Sequence, residues 1–220
     1  MSVWRSQCNC AYWHGVFGGI YLPHLREALW RELHLAEREA ARVTGTLPWV
    51  YEGDIDADGS AELLVTGGDR SMMVRSGDGL AVSELSFVPG EGDPVPLGHT
   101  LSRREEAYHT GPVDDSGGES TGSIHDRVPG AGEEAVQVPV YDSWRRICFT
   151  DLVVPQGCGM EEWAGTGSAV VHFQDGATRR WGWERSDDVV LVRGELENSV
   201  YRVEKELDIP LTCPRMSVRS

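Results

Sequence analysis

Four side chains near the amino terminus, Asn9, Tyr12, Trp13 and His14, have the chemistry that a sugar site needs. An indole offers a flat apolar face to a pyranose ring, while a carboxamide, a phenol and an imidazole supply donors and acceptors for its hydroxyls. Gly15, Gly18 and Gly19 follow at once, and residues without a Cβ let a ligand or another backbone come close. The same aromatics would equally suit the core of a helix-to-loop junction, so the residue types alone leave both readings open.

A second group comprises Asp54, Asp56, Asp58 and Glu62. Alternating aspartates followed by Gly59 match the first half of a calcium loop, where carboxylates point inward and glycine permits the sharp turn. The twelfth position, which should hold a bidentate Glu, is Val65, and Glu62 at the ninth is a partial substitute. No cofactor is required by this reading. The expectation is an Asx-rich hairpin turn, with weak calcium binding as the alternative. Two further pairs, Glu106 with His109 and His125 with Asp126, combine an imidazole with a carboxylate, but neighbours on a strand point to opposite faces. Trp181 and Trp183 sit two apart and share a face, which favours sheet core over a sugar-stacking strip. No GxSxG, P-loop, dinucleotide fingerprint or HExxH occurs.

The elements that must position these groups fall into two textures. Pro23 is a good first helical residue, and Leu22, Leu25, Leu29, Leu33, Ala36 and Ala40 recur at three- and four-residue steps, so the spacing predicts a helix to about Arg42 with one buried stripe. Thr44-Gly45-Thr46 and Pro48 break the period. A boundary near residue 43 divides a helical segment, 1–43, from a β-rich domain, 44–220. Short β-like runs follow at 49–52, 62–66, 71–75 and 80–87, separated by Gly- and Asp-bearing turns. Residues 110–138 are rich in Gly, Ser, Asp and Glu and predict a long loop. Strands resume at 146–154, 168–174, 177–184, 189–193 and 198–207, and residues 212–220 are expected to fray. The fold class is mainly β, an antiparallel β-sandwich preceded by a short α-helical segment.

The 220 residues carry a formal charge of -15, and all of the excess lies beyond residue 43. Such a surface repels phosphate backbones and anionic lipid, which argues against nucleic acid or membrane as partner and is indifferent to a neutral glycan. Cys8, Cys10, Cys148, Cys158 and Cys213 form no CxxC pair and leave one over, which fits reduced thiols in a cytoplasmic protein. No apolar run nears membrane length. The basic residues are Arg throughout except Lys205, a bias that reads as coding composition.

The stretch QCNCAYWHGVFGGIYLPHLR, residues 7–26, closely resembles a motif in the middle helical region of glycoside hydrolase family 57, which holds retaining α-amylases and 4-α-glucanotransferases. SRREEAYH at 102–109, IHD at 124–126 and YDSWRR at 141–146 resemble successive landmarks of that family's carboxy-terminal β-sandwich. The resemblance implies a galactose mutarotase-like supersandwich, an α-glucan or maltooligosaccharide as ligand, and Asn9, Tyr12, Trp13 and His14 as its contacts. It also implies that the catalytic Glu and Asp lie on a (β/α) barrel amino-terminal to the motif, so that the chain is expected to bind glucan without being catalytic alone, with a separately encoded catalytic barrel as a candidate partner. Cys10 stands where the glucanotransferase branch has Asp, which leaves hydrolase and transferase parentage open. The alternative is a stand-alone glycan-binding or scaffold protein.

Overall fold

The computed structural model describes residues 2–8, 11–12, 22–67, 69–90, 92–98, 147–159, 171–174, 176–211 and 217–220. Two helices come first, α1 (Ser2–Ser6) and α2 (Pro23–Thr44). Pro opens α2 within its first turn, and Gly45 closes it at φ 67. The Gly45 amide donates to Arg42 O and the Thr46 amide to Ala41 O. This is the paired C-terminal cap in which a left-handed residue satisfies the last carbonyls, and glycine adopts that conformation without Cβ strain.

Among the described residues the β-rich part holds two antiparallel sheets and a small third ladder. The first sheet is a five-stranded meander in chain order: β1 (Trp49–Gly53), β2 (Glu62–Thr66), β3 (Arg70–Arg75), β4 (Ala81–Phe87) and β5 (Val95–Gly98). Of the second, β8 (Thr178–Arg185), β9 (Val189–Glu197), β10 (Arg202–Pro210) and β11 (Ser217–Arg219) lie side by side. β6 (Leu152–Val153) pairs with β7 (Val171–His172).

Between the sheets lies one hydrocarbon core. Leu63, Val65, Met72, Val74 and Val82 from the first sheet meet Val190, Val192, Leu196, Leu207 and Ile209 from the second, with Leu80 and Phe173 between strands. Trp181 and Trp183 pack against this cluster, which makes them core residues rather than a stacking strip. The Trp183 indole donates to Glu52 Oε2 at 2.7 Å and so ties β8 to β1 across the two sheets.

Two expectations need correction. The carboxy-terminal residues 217–219 are not frayed: they form β11, held by the Arg219 pairs with Glu206 and Asp208 and by Ser217 on Asp208. The buried face of α2 also differs from the leucine stripe, because His34 and Ala41 are buried while Ala40 is exposed. On the side of α2 that meets the sheet, the Ser71 hydroxyl donates to Glu37, which also pairs with His34 of the same helix, and Arg38 donates to Gly67 O, partners that leucines could not supply.

Candidate functional site

Of the amino-terminal sugar motif, Tyr12 is described, and Asn9, Trp13 and His14 lie outside the described residues. Tyr12 leaves 49% of its surface exposed, and its phenol donates to Ser6 O at 2.5 Å. Burial, with the nearby Cys8 thiol adding to it, raises the Tyr12 pKa above the usual phenol value, so it remains a hydroxyl donor near neutrality. Arg5 reaches Glu32 at 3.2 Å, and this pair links α1 to α2 beside the motif. Tyr12 is thus tied back to α1 through the Ser6 carbonyl.

The aspartate loop is fully described. Asp54, Asp56 and Asp58 each turn a carboxylate oxygen to within 4.8 Å of the others. Asp54 accepts from the amides of Asp58 and Gly59, Asp56 from Asp58, and Asp58 from Ser60. These are the side-chain-to-backbone bonds of Asx turns, which hold the hairpin's tip together. Glu62 is placed differently. It is fully buried at the base of the loop, and its Oε2 accepts from the amides of Ile55 and Asp56 rather than joining the aspartate oxygens. Burial pushes its carboxyl up, against the pull of the Ile55 amide.

Sequence reasoning missed Arg75, which dominates the loop's electrostatics. Its guanidinium contacts Asp56 and Asp58 through its two terminal nitrogens, and its Nε lies 2.6 Å from Asp78 Oδ2. Burial by itself would lower the Arg75 pKa, but the bonds and charges of Asp56 and Asp78 outweigh it, and the group is held firmly cationic. The planar fork of Arg suits such a cage of carboxylates. A signal existed in the hairpin: Glu62 and Arg75 are cross-strand partners, so strand alternation puts Arg75 on the loop's own side of the sheet. A divalent ion in the loop would meet this resident cation, which already holds two of the three aspartates. Its oxygens match the donor class that calcium takes, with Asp54 the one aspartate of the three not paired to Arg75.

Lys205 was the other miss. It is 1% exposed, and its ammonium meets Gly79 O, Phe149 O and, at 2.7 Å, Asp151 Oδ2. Three acceptors match three N–H donors, which is why the one Lys in an Arg-rich chain sits here. Burial lowers its pKa, and the Asp151 carboxylate offsets part of that. It fastens β10 to the segments preceding β4 and β6 and has no open space for a ligand. The imidazole–carboxylate pairs at Glu106, His109, His125 and Asp126 lie outside the described residues. Among the described residues no helix is long and apolar enough to cross a membrane.

Known proteins resemble this chain along most of its length. The family model described as "Alpha-amylase/4-alpha-glucanotransferase, middle domain" matches residues 1–40, and the one described as "Alpha-amylase/4-alpha-glucanotransferase, C-terminal" matches residues 54–219. A 4-alpha-glucanotransferase of Thermococcus kodakarensis is 34% identical over 164 residues, covering 73% of this chain and 24% of its own. An alpha-amylase of Pyrococcus furiosus is 37% identical over 158 residues, covering 72% of this chain and 23% of its own. The crystal structure of the 4-alpha-glucanotransferase from Thermococcus litoralis superposes with a TM-score of 0.62 at 25% identity, over 99% of this chain and 30% of that one. The chain therefore spans about a quarter of the length of the curated relatives it matches. Two models in tandem, one of them covering well over half the chain, settle the kinship: the chain belongs to the alpha-amylase/4-alpha-glucanotransferase family, glycoside hydrolase family 57, and corresponds to its C-terminal region.

Proposed function

We propose that this chain serves α-glucan metabolism as the glucan-binding C-terminal part of a family 57 amylase or glucanotransferase, and that it does no chemistry on its own. The observation that carries the reading is the tandem match, middle domain followed by C-terminal region, to relatives named as amylases and as glucanotransferases. Retaining hydrolysis or transfer needs two carboxyl groups flanking the scissile bond. The buried and half-buried carboxylates around the aspartate loop and Lys205 are otherwise engaged: Asp56, Asp58 and Asp78 hold Arg75, Asp151 holds Lys205, and Glu62 caps loop amides. In this reading Trp13 stacks a glucose ring, while Asn9, Tyr12 and His14 bond its hydroxyls, and a catalytic barrel supplies nucleophile and acid.

The finer attributes follow from the same kinship and composition. The pair of sheets is read as a galactose mutarotase-like sandwich, and the protein as cytoplasmic, with neither nucleic acid nor membrane as partner. The aspartate loop is read as an Asx-rich hairpin turn, with weak calcium binding as the alternative.

The test is assay of the chain with maltodextrin, alone and joined to a family barrel. Alone it should release no reducing sugar; joined, Trp13→Ala should raise KM for maltooligosaccharides several-fold. Turnover by the chain alone that is abolished by a point change within these residues would overturn the reading.

A further inference from the structure

We propose that Glu84 and Glu37 form a proton-operated latch between the five-stranded sheet and α2: while Glu84 holds its proton α2 stays seated, and when Glu84 ionises α2 loosens and the two sheets remain folded. The register places the two carboxyls on one patch. Met73 faces Glu84 and Ser71 faces Ser86 across the β3–β4 ladder, so strand alternation puts all four on the same face. Glu84 is thus the diagonal neighbour of Ser71, about 7 Å away in any such ladder. The Ser71 hydroxyl donates to Glu37 Oε2 at 3.4 Å, which brings the α2 carboxylate down beside Glu84.

Among the described residues every cation near Glu84 is engaged elsewhere. On α2, His34 Nδ1 lies 3.2 Å from the same Glu37 Oε2, and Arg38 donates to Gly67 O at 3.1 Å. On β3, Arg75 is held by Asp56, Asp58 and Asp78, and Arg70 pairs with Asp69. β2 adds a further carboxyl, Glu62, bonded to the amides of Ile55 and Asp56, and β5 brings no titratable group. Glu84 itself has no ion-pair partner among the described residues. Burial, then the Glu37 charge, pushes its carboxyl up to about 8, against the pull of Arg75.

A charged Glu84 is relieved by movement of α2 rather than of the strands. β3 and β4 are fixed from behind by Met72, Val74 and Val82 in the core. α2 rests on β5 and is bonded to the sheet through Ser71 and Gly67 O. Lifting it hydrates both carboxylates. The hydrated Glu84 ionises near its ordinary 4.5, so lifting releases a proton. The seating is therefore fully supported below about 4.5 and is lost as pH rises through about 8; between these values the open fraction grows by up to about tenfold per pH unit, and above them it levels off. α1 and Tyr12 travel with α2, through the Arg5 pair with Glu32 and the Tyr12 bond to Ser6 O. The latch thus governs how firmly the amino-terminal segment is held on the β-rich part.

The test is hydrogen exchange of the full 220-residue chain, read by mass spectrometry on peptides from α2, β9 and β10 between pH 5.5 and pH 7.5, with each rate divided by its intrinsic value. In the parent, α2 protection should fall about tenfold over this range, less than the ideal hundredfold because Glu84 keeps some exposure, while β9 and β10 hold theirs. Glu84→Gln, neutral throughout, should keep α2 protection level. Glu37→Gln should shrink the fall, and His34→Gln, which removes the imidazole of this layer, should retain it. A parent with level α2 protection, an equal fall in Glu84→Gln, a fall abolished by His34→Gln, or β9 and β10 losing protection in step with α2 would each overturn the proposal. If Glu84→Gln does not fold, Glu37→Gln decides alone, and a fall of parental size in it overturns the latch.

Discussion

At β2 and β3 both faces of the five-stranded sheet are shut away from water, one by hydrocarbon and the other in large part by charge and hydroxyl groups. The inner face presents Leu63, Val65, Met72 and Val74 to the second sheet. The outer face presents Glu62, Thr66, Ser71 and Arg75, and every one of them is buried. Inner contacts are interchangeable dispersion contacts, whereas outer ones are specific: Thr66 with Ser71, Ser71 and His34 with Glu37, Arg38 with Gly67 O, and Arg75 with its three aspartates. The difference teaches that the outer face is held in large part by matched polar partners, while the inner face is filled chiefly by shape. Mutations should separate the two modes.

The largest effect is expected on the inner face. Leu63 is fully buried in the core cluster, so Leu63→Ala should cost about 2–5 kcal/mol of stability in urea unfolding, through lost burial and a residual cavity. On the outer face, Arg75→Ala strips three carboxylates of their common partner. Asp78 is nearly inaccessible, while Asp56 and Asp58 can rehydrate in part, so a loss of about 2–3 kcal/mol is expected. Arg75→Lys should restore little of it, since a Lys ammonium is a compact point charge and lacks the planar fork whose three nitrogens are spread to reach Asp56, Asp58 and Asp78 separately. If Arg75→Lys proved as stable as the parent, the claim of partner matching would fail.

Glu84 sharpens the comparison through pH. It shares the outer face with Met73, its cross-strand partner. Its side chain keeps some accessible surface, yet protein surrounds most of it. Burial, then the Glu37 charge, pushes its carboxyl up to about 8, with Arg75 opposing. The unfolded chain ionises near the ordinary 4.5, so folding takes up a proton between these values. The contribution to stability is therefore complete below about 4.5 and is lost as pH rises through about 8. Glu84→Gln keeps the neutral form at every pH and should be roughly 2 kcal/mol more stable than the parent at pH 9, with partial exposure discounted, and little different at pH 5. Parallel stability curves for the two proteins between pH 5 and 9 would remove Glu84 from the buried polar layer.

Local signals in the sequence were reliable wherever one strand's own residues decide its state. β2 occupies the predicted residues, β1, β3 and β4 differ by one, and Pro23 and Gly45 bracket α2 as their backbone preferences require. The failures are tertiary. β5 and β11 are short, with Pro96 in one and a serine and arginine flanking Val218 in the other, and only a neighbouring strand makes them strands. Lys205 carries no local mark of burial, since its cage comes from residues 126 and 56 positions away, Gly79 and Phe149. The aspartate spacing was legible as a loop with charge, but its resident cation comes from the next strand. Of the sugar motif, Tyr12 is the member whose surroundings are described.

The smallest expected effect tests that resident cation. Three aspartate oxygens within 4.8 Å repel one another and invite a divalent ion, but the Arg75 guanidinium already holds two of the three side chains. A loop without a bidentate twelfth ligand belongs near 10⁻⁴ to 10⁻³ M, roughly, which at a few millimolar free calcium would stabilise the fold by about 1–2 kcal/mol. Competition from Arg75 should reduce this below about 1 kcal/mol in the parent. Removing the competitor should restore it, so calcium should raise the melting temperature of Arg75→Ala by more than that of the parent, and Asp56→Asn added to Arg75→Ala should cancel the gain. Melting curves in calcium and in chelator decide the matter. An equal calcium response in parent and Arg75→Ala would mean that the arginine and the ion do not share the loop; a larger response in the parent would mean that Arg75 helps to build an ion site instead of standing in its place.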